Sequence, residues 1–506
     1  MFCSRAIRLS SRKEDRTRDM RFKRKIRLVL MVVGLSLCAA AQDDPQAQPQ
    51  QQPQDDSQAQ PSRTETAPAP AFGQNAPVLN PENPPISGLD EPRLELRSAL
   101  RSFISPALQV STSADTNSGN LPGGNTVRSV SRVLGAFDLQ RFWPRSDFFA
   151  EYLGGAAFYT YGTSNVRQLH ALGLLAVTRW RTGQVSLRDS FNYLPEGSFS
   201  TGAFGGAPGL GLAAGGGNSG IPGGGLPGMR SPDASSAIGL VPRIGNMTLG
   251  DVVQSLTPRS AFTIAGGYGM NHFTDDSANL INSQLITVQG GYSYLLNRRD
   301  QIAVVYGFQE LHFPQEAGGS VDSQVVNLRW SHTVTGRMSL MVGAGPQHVS
   351  INNPVAPTTS RWSLSGRARL RYKLNKSSIS LGYEKYTSPG SGFFAGADTQ
   401  VARLSWSRPL GRTWEFLGDA GYSHSKRIQQ LGTLGVAGSY YNDGFAGAVL
   451  HKQIGRSYGV FAAYRFSDLA FDRSFCPNAS SACSRITRRN IASIGVDWHP
   501  RPVRIE

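Results

Sequence analysis

The sequence predicts an all-β fold: a single antiparallel transmembrane β-barrel of about 18 strands (roughly 16–20), preceded by a disordered N-terminal tether. Three observations predict it. First, the stretch 361–374 alternates strictly. Trp362, Leu364, Gly366, Ala368, Leu370, Tyr372 and Leu374 share one face, and Ser363, Ser365, Arg367, Arg369, Arg371 and Lys373 share the other. Period two with one dry and one wet face is a strand. Second, Trp362 and Tyr372 stand ten residues apart on the dry face, which is roughly 33 Å of extended chain and roughly 25 Å of height at a tilt of about 40°, the apolar band of a bilayer-spanning barrel with an aromatic at each rim. Third, hydrophobic residues make up 39% of the 506, yet no apolar run is long enough for a membrane-crossing helix. Any crossing therefore falls to strands.

In chain order, Arg21, Lys23, Arg24, Lys25 and Arg27 precede an apolar core at 28–37 and the small residues Ala39, Ala40 and Ala41. This is the layout of an export signal over residues 1–41, cleaved after Ala41. Met20 stands where such a signal would begin, which offers a second start. Cys38 follows Leu37, where a lipoprotein signal needs a small residue, so lipidation is not expected. The leader holds 11 Lys/Arg and 3 Asp/Glu of the chain's 51 and 35, so half of the formal charge of +16 leaves with it. The other basic residues are spread along alternating positions, without the clustered face that nucleic acid requires. Cys3 and Cys38 belong to the leader. Cys476 and Cys483 remain, an even pair in a polar stretch of an exported chain, and are expected to form a disulfide.

Residues 42–92 are rich in Gln, Pro, Asp and Ala and have almost nothing to bury, so they read as a disordered linker. Residues 94–103 carry Leu94, Leu96, Leu100 and Phe103 at helical spacing against Arg93, Arg97 and Arg101. A short helix is expected there, docked under the barrel or plugging its mouth.

The barrel is assigned to 93–506. Short connections rich in turn residues recur at 144–147, 181–184, 257–260, 297–300, 335–337, 375–378, 411–412 and 455–456. Longer, more polar ones fall at 114–126, 162–166, 195–245, 274–282, 314–321, 352–360, 388–397, 427–435 and 472–486. Gly, Pro, Asn, Asp and Ser in the short set are what hairpins use. Eight short and nine long connections make eighteen strands. Ile286, Val288, Gly290, Tyr292 and Tyr294 form one outward face, and Tyr458, Val460, Ala462, Tyr464 and Phe466 another, opposed by Arg465 and Ser467. The segment 247–256 is ambivalent, because Leu249, Val252, Val253 and Leu256 fit helical spacing. Strand parity argues for a strand.

Three features bear on function. The Gly-rich insert 197–245 reads either as a loop folded into the lumen or as an external one; it lacks the Lys and Ser/Thr of a phosphate cradle. Arg367, Arg369, Arg371 and Lys373 form a lumen-facing charge column, either an electrostatic filter for anionic solutes or structural charge paired with Glu384, Glu415 and Asp419. Trp362, Tyr372, Trp414, Tyr458 and Trp498 are expected in the aromatic girdles. The eight His are scattered without ligand spacing, so neither metal nor cofactor is expected. His424 with Ser425, or His272 with Asp275 and Asp276, could be argued into a hydrolytic rim group, but solvated rim side chains are the simpler reading.

Leader, tether, alternating hairpins and a terminal strand together resemble the large family of Gram-negative outer-membrane β-barrel proteins, including poorly characterised porin-like members, over about residues 100–506. Ser493, Gly495 and Trp498 match the C-terminal pattern that the barrel assembly machinery reads. Pro500 and 501–506 depart from its terminal aromatic. The resemblance implies a barrel in outer-membrane lipid with the linker in the periplasm, not an enzyme, passing small hydrophilic solutes by passive diffusion, alone or as a homo-oligomer. It also admits a structural or export-associated barrel, for instance in polysaccharide export, and an outer-membrane rim enzyme.

Overall fold

The computed structural model describes residues 102–116, 127–160, 166–194, 242–274, 280–315, 319–353, 356–374, 377–429, 438–475, 485–501 and 503–505. The leader, the linker, residues 94–101 of the expected helix and 197–241 of the Gly-rich insert lie outside these; Phe103 belongs to a strand.

Among the described residues, eighteen full-length strands follow one another. They are β1 (Phe103–Asp115), β2 (Arg128–Phe142), β3 (Ser146–Tyr159), β4 (Val166–Trp180), β5 (Gly183–Leu194) and β6 (Arg243–Thr257). Next come β7 (Ser260–Phe273), β8 (Ser283–Leu295), β9 (Asp300–Phe313), β10 (Gly319–Thr335), β11 (Met338–Asn353) and β12 (Ala356–Lys373). The last are β13 (Ser378–Ser388), β14 (Ala395–Pro409), β15 (Trp414–Gln429), β16 (Tyr440–Ile454), β17 (Tyr458–Phe471) and β18 (Ile486–Trp498), followed by the two-residue β19 (Val503–Arg504). Each pairs antiparallel with its sequence neighbour, and β1 closes the ring against β18, from Leu108↔Trp498 to Asp115↔Ile491. The ambivalent segment is a strand: β6 pairs on both sides, and Met247, Leu249, Asp251 and Val253 are buried in alternation. Pro500 ends the last long strand, and Val503 and Arg504 add two further pairs to Phe103 and Ile104.

The tilt follows from the register. Hydrogen-bonded partners lead from Ser146 through Thr178, Val185, Val252, Ile264, Gly290 and Tyr306 to Val326. Ser146 opens β3 at a short turn, whereas Val326 stands nine residues from Thr335, the short-turn end of β10. Nine residues of climb over seven strand spacings is a tilt of about 40°.

Alternation along each strand gives the wall two chemistries. Outward stand Val110, Val133, Leu187, Ile264, Val288, Val304, Leu328, Val342, Leu364, Leu404 and Ile494, all exposed. Inward and buried are Gln109, Ser111, Arg132, Ser186, Thr287, Gln289, Asn327, Gln347, Arg367, Ser423, Arg489 and Asp497. An apolar exterior around a polar interior is the reverse of a soluble protein. Only a lipid exterior favours it, and closure of β1 on β18 pairs the two outer edges that an open sheet would leave in hydrocarbon.

One expectation is corrected. No disulfide is present among the described residues, and Cys476 and Cys483 both lie outside them. Proximity in sequence does not bring two Cα atoms to the separation and orientation a disulfide demands.

Candidate functional site

The predicted column lies on β12. Arg367 and Arg369 are each 8% exposed on the inner wall, Arg371 is half-buried, and Lys373 is exposed at the short-turn end. Arg367 is not alone at its level, because Arg329 of β10, Gly343 of β11, Arg367 and Glu384 of β13 follow one another along one line of strand pairs. Gly343 leaves room between the two guanidinium side chains; a Cβ there would stand 3.0 Å from Cγ of Arg329. Glu384 Oε1 is 3.5 Å from Nε of Arg367. The pairing expected with Glu384 is therefore present, while Asp419 pairs instead with Arg403 at 2.9 Å.

Above this line the wall is neutral and polar. Ser365 donates to Asn327 Oδ1 at 2.8 Å, across Gly345. Gln347 Nε2 donates to Ser323 at 2.6 Å and to Thr387 at 2.8 Å. Gly345 admits no side chain, since an added Cβ would fall on the carbonyl oxygen of Val326. Together these residues line a recess of about 780 Å³, including space open to solvent, with Leu285, Phe308 and Val325 on its apolar side and Tyr386, Thr387 and Pro389 above.

The connection after β13, expected among the long external ones, turns inward. Pro389 leads into a 3-10 turn, Gly390–Gly392, in which Gly390 and Gly392 take φ of 81° and 83°. These left-handed values suit glycine. Phe393 and Phe394 follow, 7% and 1% exposed. They pack with Phe273 and Leu280 on one side and with Tyr441, Leu469 and Phe471 on the other. Phe273 ends β7 while Tyr441 lies on β16, nine strands away in an eighteen-strand ring. These are opposite walls, so the segment 389–394 crosses the mouth. Gly392 O accepts the Ile281 N–H at 2.9 Å, Phe394 stacks tilted on Tyr441 at 5.5 Å, and Phe393 meets Phe471 edge-on at 5.2 Å.

Sequence alternation finds the Arg column but not this crossing. The available signal was two phenylalanines flanked by Gly390, Gly392 and Gly396 inside a connection otherwise polar and small. Sequence also missed an ion belt farther round the ring. Arg403–Asp419 on β14 and β15, Asp443 on β16, Arg465 on β17, and Arg489 on β18 hydrogen-bonded to Asp115 on β1 form a nearly balanced series across adjacent strands. Cationic side chains of the inner wall therefore gather on β10–β12, and mixed charge on β14–β18 and β1.

The His424–Ser425 pair of the hydrolytic rim group does not assemble. His424 faces outward and bonds Asn442 Oδ1 at 2.7 Å, while Ser425 is fully buried on the inner face. His272 also faces outward, and Asp275 and Asp276 lie outside the described residues.

All five aromatics expected in the girdles are exposed. The seven tryptophans of the chain divide unevenly: Trp143, Trp180, Trp330, Trp406, Trp414 and Trp498 stand near short-turn ends, and Trp362 near the opposite end.

Fold and wall define a transmembrane β-barrel with a polar, partly crossed lumen. No protein-family model matches the chain, nor does any curated sequence. Among solved structures it is similar to the outer membrane protein opdK of Pseudomonas aeruginosa (10% identity, TM-score 0.38, covering 79% of this chain and 98% of that one). It is also similar to OccK2 (OpdF) of the same organism in complex with glucuronate (11%, 0.40, 80% and 98%) and to OccAB3 of Acinetobacter baumannii (13%, 0.40, 79% and 99%). Likeness at this level leaves the solute to be argued from this chain's own residues.

Proposed function

We propose that this protein is an outer-membrane channel for passive diffusion of small hydrophilic solutes, with a preference for anions. The observation that carries the reading is the cationic line Arg329–Arg367–Arg369 beside the segment that narrows the mouth. A solute passing the Phe393–Phe394 crossing is held close to the guanidinium groups of this line, where the local dielectric is low and charge discrimination strong. An eighteen-stranded ring is too wide for wall side chains to fill, which leaves an aqueous path. Outer-membrane lipid meets the apolar band, and the barrel assembly machinery engages β18 through Ser493, Gly495 and Trp498.

Recording in planar bilayers tests this. Discrete conductance steps with an anion-biased reversal potential are expected, and replacing Arg367, Arg369 and Arg371 together with Ser should shift that potential toward cations. Unchanged selectivity would reduce the column to structural charge. A second reading, a structural or export-associated barrel, draws on the crossing itself, which places two buried phenylalanines across the mouth. Electrical silence from a correctly folded, heat-modifiable barrel would favour it. The mass of the detergent complex decides whether barrels associate.

A further inference from the structure

The wall is not uniformly sewn. β11 pairs with β12 up to Asn353↔Ala356, but the pairs between β12 and β13 end at Gly366↔Lys385. Above that pair, residues 356–365 of β12 have no strand partner on the β13 side, although β13 continues to Ser388 paired with β14. Trp362 and Leu364 flank this seam on the outer face, 73% and 59% exposed. Side chains bridge it instead: Arg361 Nη2 lies 3.7 Å from Asp398 Oδ2, and Gln347 and Gln309 reach Thr387 at 2.8 and 3.3 Å. Lys385 Nζ stands 4.0 Å from the same Asp398 oxygen. Directly behind lies the recess lined by Gly366, Arg367, Lys385 and Tyr386. Arg367 lines it with a buried Nη2 that has no hydrogen-bond partner among the described residues.

An unpaired strand edge beside hydrocarbon is costly unless something satisfies it. Here the edge meets lipid below the rim residue Trp362, at 363–365, on one side and a cationic recess on the other. A hydrophilic solute does not approach from lipid; a molecule with an acyl chain does. We propose that the β12–β13 seam is a lateral port that takes an anionic amphiphile, an acidic head on an acyl chain, from the surrounding leaflet. The head sits on Arg367, competing with Asp398 for Arg361 and Lys385. The chain leaves past Leu364 and Trp362, against the apolar side of the recess. Asp398 is thereby the latch, since its contact with Arg361 ties β12 to β14 across the seam while Lys385 holds the carboxylate in place, until a head group replaces it. The inference rests on the membrane placement of the barrel and not on conduction.

The test uses the full chain in nanodiscs with a diazirine-bearing fatty acid, photolysed and mapped by mass spectrometry. Adducts are expected to concentrate on β12 and β13 around Ser365, Gly366, Lys385 and Tyr386, and to fall about tenfold in Arg367→Gln, the weight of one charge-assisted hydrogen bond. Asp398→Asn, which releases the latch, should raise them. A fatty alcohol with the same diazirine should label the outer face without enrichment at the seam. A diazirine lysophospholipid labelling the seam more than the fatty acid would name leaflet lipid, and less would name free fatty acid, as the natural source. Adducts spread over the exterior in proportion to exposure, or equal seam labelling by acid and alcohol, would overturn the port. Bilayer recording of the same preparation keeps the two proposals apart: conduction without seam labelling sinks the port alone, and seam labelling without conduction sinks the channel alone.

Discussion

Two glycines on β11 shape the lumen by different means, and their substitution separates the two. At Gly345 an added Cβ would meet backbone, the carbonyl oxygen of Val326, so Gly345→Ala must push β10 and β11 apart. A loss of about 1–3 kcal/mol is expected, read as a lower urea midpoint. At Gly343 the obstacle is the Cγ of Arg329 at 3.0 Å, part of a side chain that can turn aside. Gly343→Ala should fold as before and only narrow the recess; a matching loss of stability would show the wall to be as rigid there as at Gly345. Beyond β17, Asp472 makes a pH-dependent clasp. Burial pushes its carboxyl up, but the Ser439 N–H and Ser474 hydroxyl, at 2.9 Å each, and the charge of Arg427 outweigh it and hold the pKa below its ordinary 3.8. A depressed pKa stabilises the fold above the ordinary value, and this contribution is lost as pH falls through the folded one. The protection factor of the Ser439 amide should therefore be high at neutral pH and fall only below the ordinary carboxylate range. In Asp472→Asn the acid-induced step should vanish.

The crossing segment and the seam arise from one element, because β13 is short. It spans 11 residues where β12 has 18, and the chain it does not spend on the wall is folded into the lumen. Each buried phenylalanine removed from such a cluster costs about 3–5 kcal/mol of packing, lost locally when the cluster belongs to a connection and not to the wall. Phe393→Ala with Phe394→Ala should accordingly free the segment, enlarge single-channel conductance and leave the heat-modifiable barrel intact; unchanged conductance would place the narrowest point elsewhere. Alternation in the sequence revealed where strands run, because lipid on one side and water on the other impose period two on nearly every residue between turns. β12 was legible for that reason, from Trp362 down to Tyr372. The inward turn at 389–394 was not, since a connection's path depends on contacts with Phe273 and Tyr441, far away in sequence, and no periodicity encodes those. The ambivalent β6 shows the same limit from the other side: Leu249, Val252, Val253 and Leu256 suit a helix locally, and only pairing with β5 and β7 decides.

At the scale of the whole molecule the tryptophans report how the barrel sits. Six near the short turns and one near the opposite rim make a girdle heavy at one interface, where an indole places its apolar body in lipid and its N–H in the headgroup region. Two of those N–H groups already have wall partners: Trp180 donates to Gln254 and Trp330 to Asp300, each at 3.0 Å, which fixes ring height independently of lipid. The two rims are set roughly 25 Å apart by strand length and a tilt of about 40°, so no indole should lie at the bilayer centre. In vesicles of brominated phospholipid, bromines high on the acyl chain should quench the intrinsic fluorescence strongly, and bromines near the chain end weakly. Trp362→Phe should remove only a small part of the signal, because the other six share the opposite rim. Stronger quenching from the chain end would put the aromatic rings mid-membrane, and with them the wall's whole assignment of inside and outside.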